Sequence, residues 1–426
     1  MERVEKSNIK ILFLLDELYP NTSANSRIVY RIIDELLKNN KYAIKILGRP
    51  LTDEQKRINE YKGCEVIHEP YYKWESAIFR ADNTKSRNRF RNIFRPKIVV
   101  YTLLRFFSNL SPFEFETVCF INRMVKRKEV DVIVACSMPF YTLFVAARFG
   151  KSVPVVYYKM EPFSTIHSRK ENELEEAIKT EIWLDDKAAK ILATDLTYKE
   201  YEKSEIKKNI HKVVVANFPN ILENRALLNN SHVQFKKDHI SCVFVGKLYP
   251  TIRNPKFLFD LVELLPDDLI HLHIIGGIND GKFDDEFFET YLKNEHKRIS
   301  YYGEVSPSDA DALLNQADIL VHIGNSFPNS MPSKILDYIS SGKPIINIHK
   351  VSNCPTLPYL EKYPLCLNIY ENDGLSESVV NSYYQFCIDN RGKKVPFNDI
   401  KEIYYDSTPE FVGEIFENTI KDLVVV

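Results

Sequence analysis

The stretch ADILVHIGNSFPNSMPSKILDYISSGKPIINI, which runs from Ala317 to Ile348, decides the fold of this chain. Its pattern predicts a buried strand, a polar loop, a short helix and a second buried strand in direct succession. The helix is predicted to begin near Ser330 to Ser333, because Ser is a good N-cap and Pro332 suits a first turn, and to end at Gly342. The free amides of a helix start favour an anion, and Lys334 adds a cation beside them. Helix capping alone also accounts for these residues, so a phosphate site and a plain cap both stay open.

Apolar strands alternate with helical stretches along the rest of the chain. In the first half the predicted strands are Ile9 to Leu15, Ala43 to Leu47, Val130 to Ala135, Val153 to Tyr158, Ile191 to Leu196 and Lys212 to Ala216. In the second half they are Cys242 to Val245, His271 to Ile275, Ile299 to Tyr302, Ile319 to Ile323 and Pro344 to Ile348. Such alternation predicts two α/β units with parallel sheets, in which ligands collect at the carboxyl ends of the strands. The polar segment from Leu222 to Asp238 is the predicted linker between them.

The composition is that of an ordinary globular protein. With 426 residues, 44% of them apolar and 27% charged, and a net charge of -1, the chain suits two domains with their own cores. No apolar run approaches the roughly 18 residues of a membrane span, and Ile9 to Leu15 is too short for a signal peptide. Seven scattered cysteines without a CxxC pair indicate free thiols in a reducing cytoplasm. Ten histidines without HExxH spacing indicate that no structural metal is bound.

A basic and aromatic insertion is predicted between residues 71 and 128, and its composition is most unusual from Tyr71 to Phe107. Its cations are Lys73, Arg80, Lys85, Arg87, Arg89, Arg91, Arg95, Lys97 and Arg105, and the rings among them are Trp74, Phe79, Phe90, Phe94, Phe106 and Phe107. Cations beside large rings suit an anionic membrane surface. A solvated helix pair that packs its rings into the first domain explains them equally well. Nucleic acid is not expected as a partner, because no recognition module accompanies the patch.

Two blocks of the second half carry a resemblance to a known family. After Ala317-Asp318-Ile319, the sequence PSKILDYISSGKPII resembles the donor-binding signature of GT-B glycosyltransferases, especially the family-four, retaining enzymes of bacteria. Upstream, SCVFVGKLYPTIRNPKFLFDLVELL from Ser241 to Leu265 resembles the first strand and helix of the nucleotide domain in that family. Residues 130–164 are similar, more weakly, to a strand, turn, helix and strand of the first domain.

The resemblance implies a GT-B fold, with two Rossmann-like domains facing across a cleft. Residues 1–235 then form an acceptor-binding domain, residues 236–408 form a domain that binds a nucleotide-sugar donor, and residues 409–426 form a helix that crosses back to the first domain. The implied location is cytoplasmic, with peripheral contact at the inner face of the membrane. The implied partners are the nucleotide-sugar donor and a glycan or lipid-linked glycan acceptor.

The resemblance also implies the site residues. The donor-binding set is Gly246, Lys247, Arg253, Gly303, Glu304, Val305, Asn325, Asn329, Ser333, Lys334 and Asp337. Lys247, Arg253 and the helix start at Ser333 and Lys334 are expected to offset the diphosphate charge, so neither a metal nor another cofactor is expected. Residues 303–305 would approach the base through their backbone. Asp337 would accept hydrogen bonds from the ribose, and Asn325 and Asn329 would contact the donor sugar.

Three residues are given catalytic roles: Glu161, which would orient or deprotonate an acceptor hydroxyl, and the two cations Lys247 and Arg253. Each residue also has a simpler interpretation. Glu161 would be a structural acid in a salt bridge, and Lys247 and Arg253 would be surface charges. Asp309 and Asp311 read as the acidic first turn of a helix rather than a metal site. His322 reads as a strand histidine packed in the core.

The predicted function is transfer of a sugar, with retention, from a nucleotide-diphosphate donor to a hydroxyl of a surface glycan or glycolipid in bacteria. Departures from the family pattern leave other functions open. Asn329 stands where the family has a first acidic residue, and Asp337 stands where the second acidic residue is a longer one. Met160 and Phe163 stand where the family has an arginine and a tryptophan. One rival is a catalytically silent homologue that binds a nucleotide or scaffolds a biosynthetic complex. Another is a non-hydrolysing nucleotide-sugar epimerase, and a third is tethering to membranes or nucleic acid through the insertion.

Overall fold

The computed structural model describes residues 8–20, 23–69, 112–138, 140–167, 171–223, 234–236, 238–278, 291, 297–328 and 331–424. The chain divides into two units, one from Met1 to Pro219 together with Pro409 to Val426, the other from Asn220 to Thr408. The first division therefore falls at 219/220, whereas the sequence placed the domain boundary at 235/236. Residues 71–111 of the predicted insertion lie outside the described residues, whereas residues 112–128 are described.

The first unit is built on a sheet of eight strands. They are β1 Ile9–Glu17, β2 Tyr42–Arg49, β3 Glu60–Tyr61, β4 Cys64–His68, β5 Val132–Cys136, β6 Val155–Lys159, β7 Lys190–Ala193 and β8 Val213–Val215. Its first six helices are α1 Ala24–Leu37, α2 Pro112–Lys126, α3 Tyr141–Ala146, α4 Phe163–His167, α5 Glu171–Lys187 and α6 Asp195–Lys203. The strand order is β3-β4-β2-β1-β5-β6-β7-β8, and every pair is parallel except the short edge pair β3 and β4. The order therefore runs outward from β1 in both directions, as it does in doubly wound folds.

The second unit repeats this plan with a fully parallel sheet. Its strands are β9 Ile240–Val245, β10 Ile270–Ile275, β11 Ile299–Tyr301, β12 Ile319–Ile323, β13 Ile345–His349 and β14 Cys366–Tyr370. Its helices are α7 Lys256–Glu263, α8 Pro307–Gln316, α9 Lys334–Ser340, α10 Leu357–Leu360, α11 Glu377–Asn390 and α12 Phe397–Ile403. The order β11-β10-β9-β12-β13-β14 is that of a Rossmann sheet. The strand order reverses between β9 and β12, so a crevice is expected at the carboxyl ends of these two strands.

The last helix, α13 Pro409–Val424, groups with the first unit. It packs on α1 at Gly413, where a Cβ atom would lie 2.6 Å from the Cβ of Glu35. The ring of Phe416 meets the ring of Tyr158 edge-on, with 5.2 Å between their centroids. Asn39 donates a hydrogen bond of 2.7 Å to Glu417. Glycine is therefore required at 413 by the close approach of two helices.

All the predicted strands are present, although several of their boundaries differ by one to three residues and some elements were missed. The strand predicted from Ile191 to Leu196 ends at Ala193, because the side chain of Thr194 accepts a hydrogen bond from Thr197 N–H and caps α6. The hairpin strand β3 and the strands β4 and β14 were not predicted. Within the described ranges, no helix has both the length and the apolar character that crossing a membrane requires.

We expect the substitution Gly413→Val to lower the melting temperature of the protein. The added side chain would overlap Glu35, and overpacking of this kind costs about 1–3 kcal/mol. The exposed neighbour Glu414 provides the control, because Glu414→Val carries the same β-branched residue in the same helix without the overlap. Thermal unfolding followed by circular dichroism compares the two variants. Equal melting temperatures would show that α13 does not need the close approach to α1.

Candidate functional site

The loop that follows β9 is anchored at the point where the strand order of the second unit reverses. Within it, Tyr249 and Arg253 exchange two backbone hydrogen bonds of 3.2 and 3.1 Å. The N–H of Ser326, in the loop after β12, donates to the carbonyl of Ile252 at 2.8 Å. The loops after β9 and β12 are therefore tied together at the carboxyl ends of their strands, where ligands bind in sheets of this order.

Arg253 is the most informative side chain in this region. Its Nη2 atom donates a hydrogen bond of 2.9 Å to Oδ1 of Asn325, a buried residue just after β12. Burial lowers the pKa of the guanidinium, and its Nε atom is buried without a hydrogen-bond partner among the described residues. None of the carboxylates in the described ranges forms an ion pair with it. A cation withdrawn from water without a counter-charge is costly, so this position favours an anionic ligand.

Gly246 and Gly276 let three strand ends lie close together. A Cβ atom on Gly246 would lie 3.1 Å from the ring of Phe244 and 3.5 Å from Nη1 of Arg253. A Cβ atom on Gly276 would lie 2.1 Å from the carbonyl oxygen of Gly246, and the backbone of Gly276 has a φ of +135°. The absence of a side chain at Gly246 thus lets the ring of Phe244 and the guanidinium of Arg253 lie close to the backbone after β9.

Lys247 contacts the loop after β11. Its Nζ atom lies 3.5 Å from Oε1 of Glu304, and both side chains are mostly exposed, at 61% and 68%. Gly303, with a φ of +68°, accepts a hydrogen bond of 2.8 Å from the N–H of Gly276. The predicted base-contacting residues Gly303, Glu304 and Val305 therefore lie next to the predicted phosphate ligand Lys247.

The short helix α9 lies over the end of β9. Tyr338, buried in this helix, accepts a hydrogen bond of 3.0 Å from the N–H of Val245, and Nζ of Lys334 lies 3.5 Å from the carbonyl oxygen of the same residue. Asp337 lies in the first turn. Ser333 precedes the helix, but its side chain makes no capping hydrogen bond because its own backbone is already helical. The capping role predicted for Ser333 is therefore wrong, and Asn329 lies outside the described residues.

Some polar residues of the predicted motifs have structural roles. Lys343, in the GKPII motif, is buried and donates hydrogen bonds to the carbonyls of Asn315 and Ala317, at the end of α8. Burial lowers its pKa to about 8. At the start of α8, Ser306 accepts a hydrogen bond of 3.1 Å from the N–H of Asp309, which confirms the predicted acidic first turn. In the part of the chain that is described, no cluster of three or more His, Cys, Asp or Glu residues is arranged to hold a metal ion.

Glu161 belongs to the first unit, in the loop that follows β6, and is half-buried. The residue before it is fixed on both sides of its peptide unit. Met160 donates a hydrogen bond of 2.9 Å to the hydroxyl of Ser137, and its carbonyl accepts from the hydroxyls of Thr194 at 3.2 Å and Thr197 at 3.0 Å. Met160 is buried, which explains an apolar residue where the family has an arginine.

A buried polar network holds the other end of the Glu161 loop. Lys159, at the end of β6, donates to Glu181 at 2.8 Å, to Asp185 at 2.5 Å and to the hydroxyl of Tyr201 at 2.9 Å, and all four side chains are inaccessible to water. Glu181 in turn accepts from the backbone N–H groups of Phe163 at 3.1 Å and Ser164 at 2.9 Å. The network thereby fixes the start of α4, two residues beyond Glu161.

The positive charge of Lys159 and the negative charges of the acids beside it stabilise one another. Burial opposes the positive charge of Lys159, but Asp185 and Glu181 outweigh it and raise the pKa of the amine. Burial also acts to raise the pKa of Glu181, yet Lys159 and Ser164 outweigh it and lower that pKa below its ordinary value. The pKa of Asp185 is raised by burial, so a second negative charge is disfavoured. No sequence pattern signalled this network, because its three acceptors lie 22 to 42 residues from Lys159 in the chain.

With this geometry established, comparison with known proteins identifies similar ones. The sequence profile described as "Glycosyl transferases group 1" matches residues 239–357. Among solved structures, the chain is similar to Anabaena HepE in complex with UDP, with a TM-score of 0.62 and 14% identity over 97% of this chain and 100% of that one. It is also similar to the lipopolysaccharide outer core galactosyltransferase WaaB, with a TM-score of 0.59 and 15% identity over 97% and 99%. The E. coli trehalose-6-phosphate protein bound with UDP-2-fluoro glucose gives 0.60 and 11% over 97% and 99%. No curated protein matches in sequence.

The comparisons confirm the predicted resemblance to GT-B glycosyltransferases. At these identities the structural likeness establishes the GT-B fold, over nearly the whole of each chain. The profile match adds a similarity to group 1 glycosyl transferases over residues 239–357. The roles of the individual site residues stay predictions.

We expect Lys159→Met to destabilise the protein by about 3–5 kcal/mol at neutral pH, because it leaves buried carboxylates without their cation. The loss should be smaller at pH 5 than at pH 8. Without the amine, burial raises the carboxyl pKa values above those of the unfolded chain, so the cost exists at high pH and falls as protonation removes the charge. Chemical unfolding at both pH values measures this, with Lys151→Met, an exposed site, as the control. A pH-independent loss would contradict the assigned charges.

Proposed function

We propose that the chain is a glycosyltransferase, which transfers a sugar from a nucleotide-diphosphate donor to a hydroxyl of an acceptor. The matching profile of group 1 glycosyl transferases and the GT-B fold support this proposal. The observation that carries this proposal is the half-buried guanidinium of Arg253, which no described carboxylate neutralises and which lies where β9 and β12 end. A diphosphate supplies the missing negative charge. The exposed Lys247 and the amine of Lys334 lie at the same strand ends and add to the attraction.

These cations also suit the chemistry of the transfer. As the bond from the sugar to the diphosphate breaks, negative charge grows on the leaving oxygen, and cations fixed in advance stabilise that charge. We propose that Arg253 and Lys247 do so without a metal ion, and that the reaction retains the configuration of the sugar. Asp337 would accept hydrogen bonds from the ribose, and Asn325, which already holds Arg253, would turn its amide toward the sugar.

The proposed donor is a UDP-sugar. Anabaena HepE has been crystallised with UDP, with UDP and glucose and with UDP-glucose, which supports uridine as the base. The proposed acceptor is a glycan or glycolipid of a bacterial surface polysaccharide, a choice supported by the similarity to WaaB, a galactosyltransferase of the lipopolysaccharide outer core. The basic segment from Tyr71 to Phe107 supports peripheral contact with the inner face of an anionic membrane.

A catalytically silent nucleotide-binding protein is the second candidate. It is favoured by one observation, the replacement of the family's first acid by Asn329 and of its second by the shorter Asp337. Both candidates bind the nucleotide, but only a transferase releases UDP from a UDP-sugar in the presence of an acceptor. The two following experiments separate binding from turnover.

We expect Arg253→Ala to weaken the binding of UDP by about tenfold or more, because hydrogen bonds to a charged group contribute roughly 1.5–3 kcal/mol. Lys247→Ala should have a smaller effect, since its side chain is mostly in water. Isothermal titration calorimetry in the presence of EDTA measures both, with Lys256→Ala as a matched control whose side chain is also 61% exposed. Unchanged affinity in a folded Arg253→Ala protein would remove the basis of the donor site.

We expect Glu161→Gln to reduce the rate of UDP release with acceptor by about a hundredfold, the range of a positioned acid or base, while the Kd for UDP stays constant. The assay combines UDP-sugars with a panel of lipid-linked glycans and detects free UDP. Glu175→Gln, on the exposed face of α5, is the control. A variant that keeps its full rate would show that Glu161 has only a structural role, and no UDP release by the wild-type protein would favour the silent homologue.

A further inference from the structure

A line of polar side chains crosses three strands of the second unit and ends near Arg253. His322, Asn347 and Asn368 are register neighbours on β12, β13 and β14. His322 Nδ1 lies 2.8 Å from Oδ1 of Asn347, and Nδ2 of Asn347 donates to Oδ1 of Asn368 at 2.8 Å. His322 and Asn347 are buried in the sheet. Buried polar groups are costly unless they are hydrogen-bonded, and Nε2 of His322 has no hydrogen-bond partner among the described residues, so this end of the line needs explanation.

The hydrogen bonds of the line assign the tautomer of the histidine. The amide nitrogen of Asn347 donates to Asn368, so its oxygen must accept from His322. The proton of the imidazole is therefore on Nδ1, and Nε2 presents a bare lone pair. Burial lowers the pKa of His322 to about 4, and the charge of Arg253 acts in the same direction, so the ring is neutral at pH 7. Nε2 is a buried acceptor without a hydrogen-bond partner among the described residues.

Arg253 presents the complementary group. Its Nε–H is a buried donor that also has no hydrogen-bond partner within the described ranges. Arg253 holds on to Asn325, three residues beyond His322 on the same strand end, and its charge acts on the imidazole. An unused donor and an unused acceptor are thus buried in the same region. A lone pair cannot donate to a phosphate, so the neutral Nε2 suits the arginine rather than the diphosphate.

We propose that His322 is a positioning residue. When the donor binds, its Nε2 accepts the Nε–H of Arg253, a hydrogen bond that the described structure does not contain, and directs the terminal nitrogens of the guanidinium to the donor diphosphate. The proposal rests on the proposed function and deepens it. Asn347 and Asn368 hold the imidazole in the required tautomer, so the line serves to orient one cation. His322 acts through Arg253 and does not touch the donor.

A double-mutant cycle tests the proposal, with UDP as the probe and calorimetry as the measurement. We expect His322→Phe, which keeps a ring but removes the acceptor, to weaken UDP binding about tenfold. In an Arg253→Lys protein, which lacks the Nε–H, the same change should weaken binding no further. His322→Gln, which restores a carbonyl acceptor, should recover part of the affinity in the Arg253 protein. His271→Phe, at the amino end of β10, is the control and should bind UDP as the wild type does.

Several results would overturn the proposal. If His322→Phe weakens binding by the same factor in both backgrounds, His322 acts on the donor directly or only on the fold. If His322→Phe binds UDP as tightly as the wild type while Arg253→Lys binds it weakly, the positioning role fails but the donor site stands. If the wild type does not bind UDP, both fail. Should His322→Phe not fold, His322→Gln carries the cycle, with an intermediate loss of affinity expected beside the native Arg253 and no further loss expected in the Arg253→Lys protein.

Discussion

Parallel strand pairing is the constraint on which both units depend. A parallel sheet needs crossover helices, and when the crossovers leave in opposite directions from a central pair of strands, the loops after those strands separate and leave room for a ligand. In the second unit the pair is β9 and β12. The loops after these strands hold Arg253 and Asn325, joined by a hydrogen bond of 2.9 Å. The topology thus brings together two residues that are 72 positions apart in the chain.

The energetics of the two units show opposite solutions to the burial of a cation. In the first unit, Lys159 is inaccessible to water but has Glu181 and Asp185 as partners, so its charge stabilises a loop. In the second unit, Arg253 is half-buried, with only an amide oxygen as its described side-chain partner. The first arrangement is complete by itself, whereas the second is completed by an anion. This contrast distinguishes a structural cation from a ligand-binding one.

The sequence predicted the sheets well because a buried parallel strand appears as an apolar run, as in Ile319 to Ile323. It missed β4 and β14, since the exposed Glu65 and the polar Asn368 interrupt these short strands near the sheet edges. Within the site, the positions of Lys247 and Arg253 came from the resemblance. The difference in exposure between Lys247 and Arg253 could not be predicted in this way, because burial depends on residues brought in from other strands. His322 shows the same limit, because its partner Asn347 is identified only by the register of β12 against β13, which no local pattern specifies.

The most direct test of the central claim is a crystal structure of the protein with UDP, grown in the presence of EDTA. The claim is that the diphosphate supplies the negative charge that Arg253 lacks. It predicts phosphate oxygens within hydrogen-bond distance of the terminal nitrogens of Arg253, at the ends of β9 and β12. A diphosphate bound elsewhere, with the guanidinium still held by Asn325 alone, would contradict it.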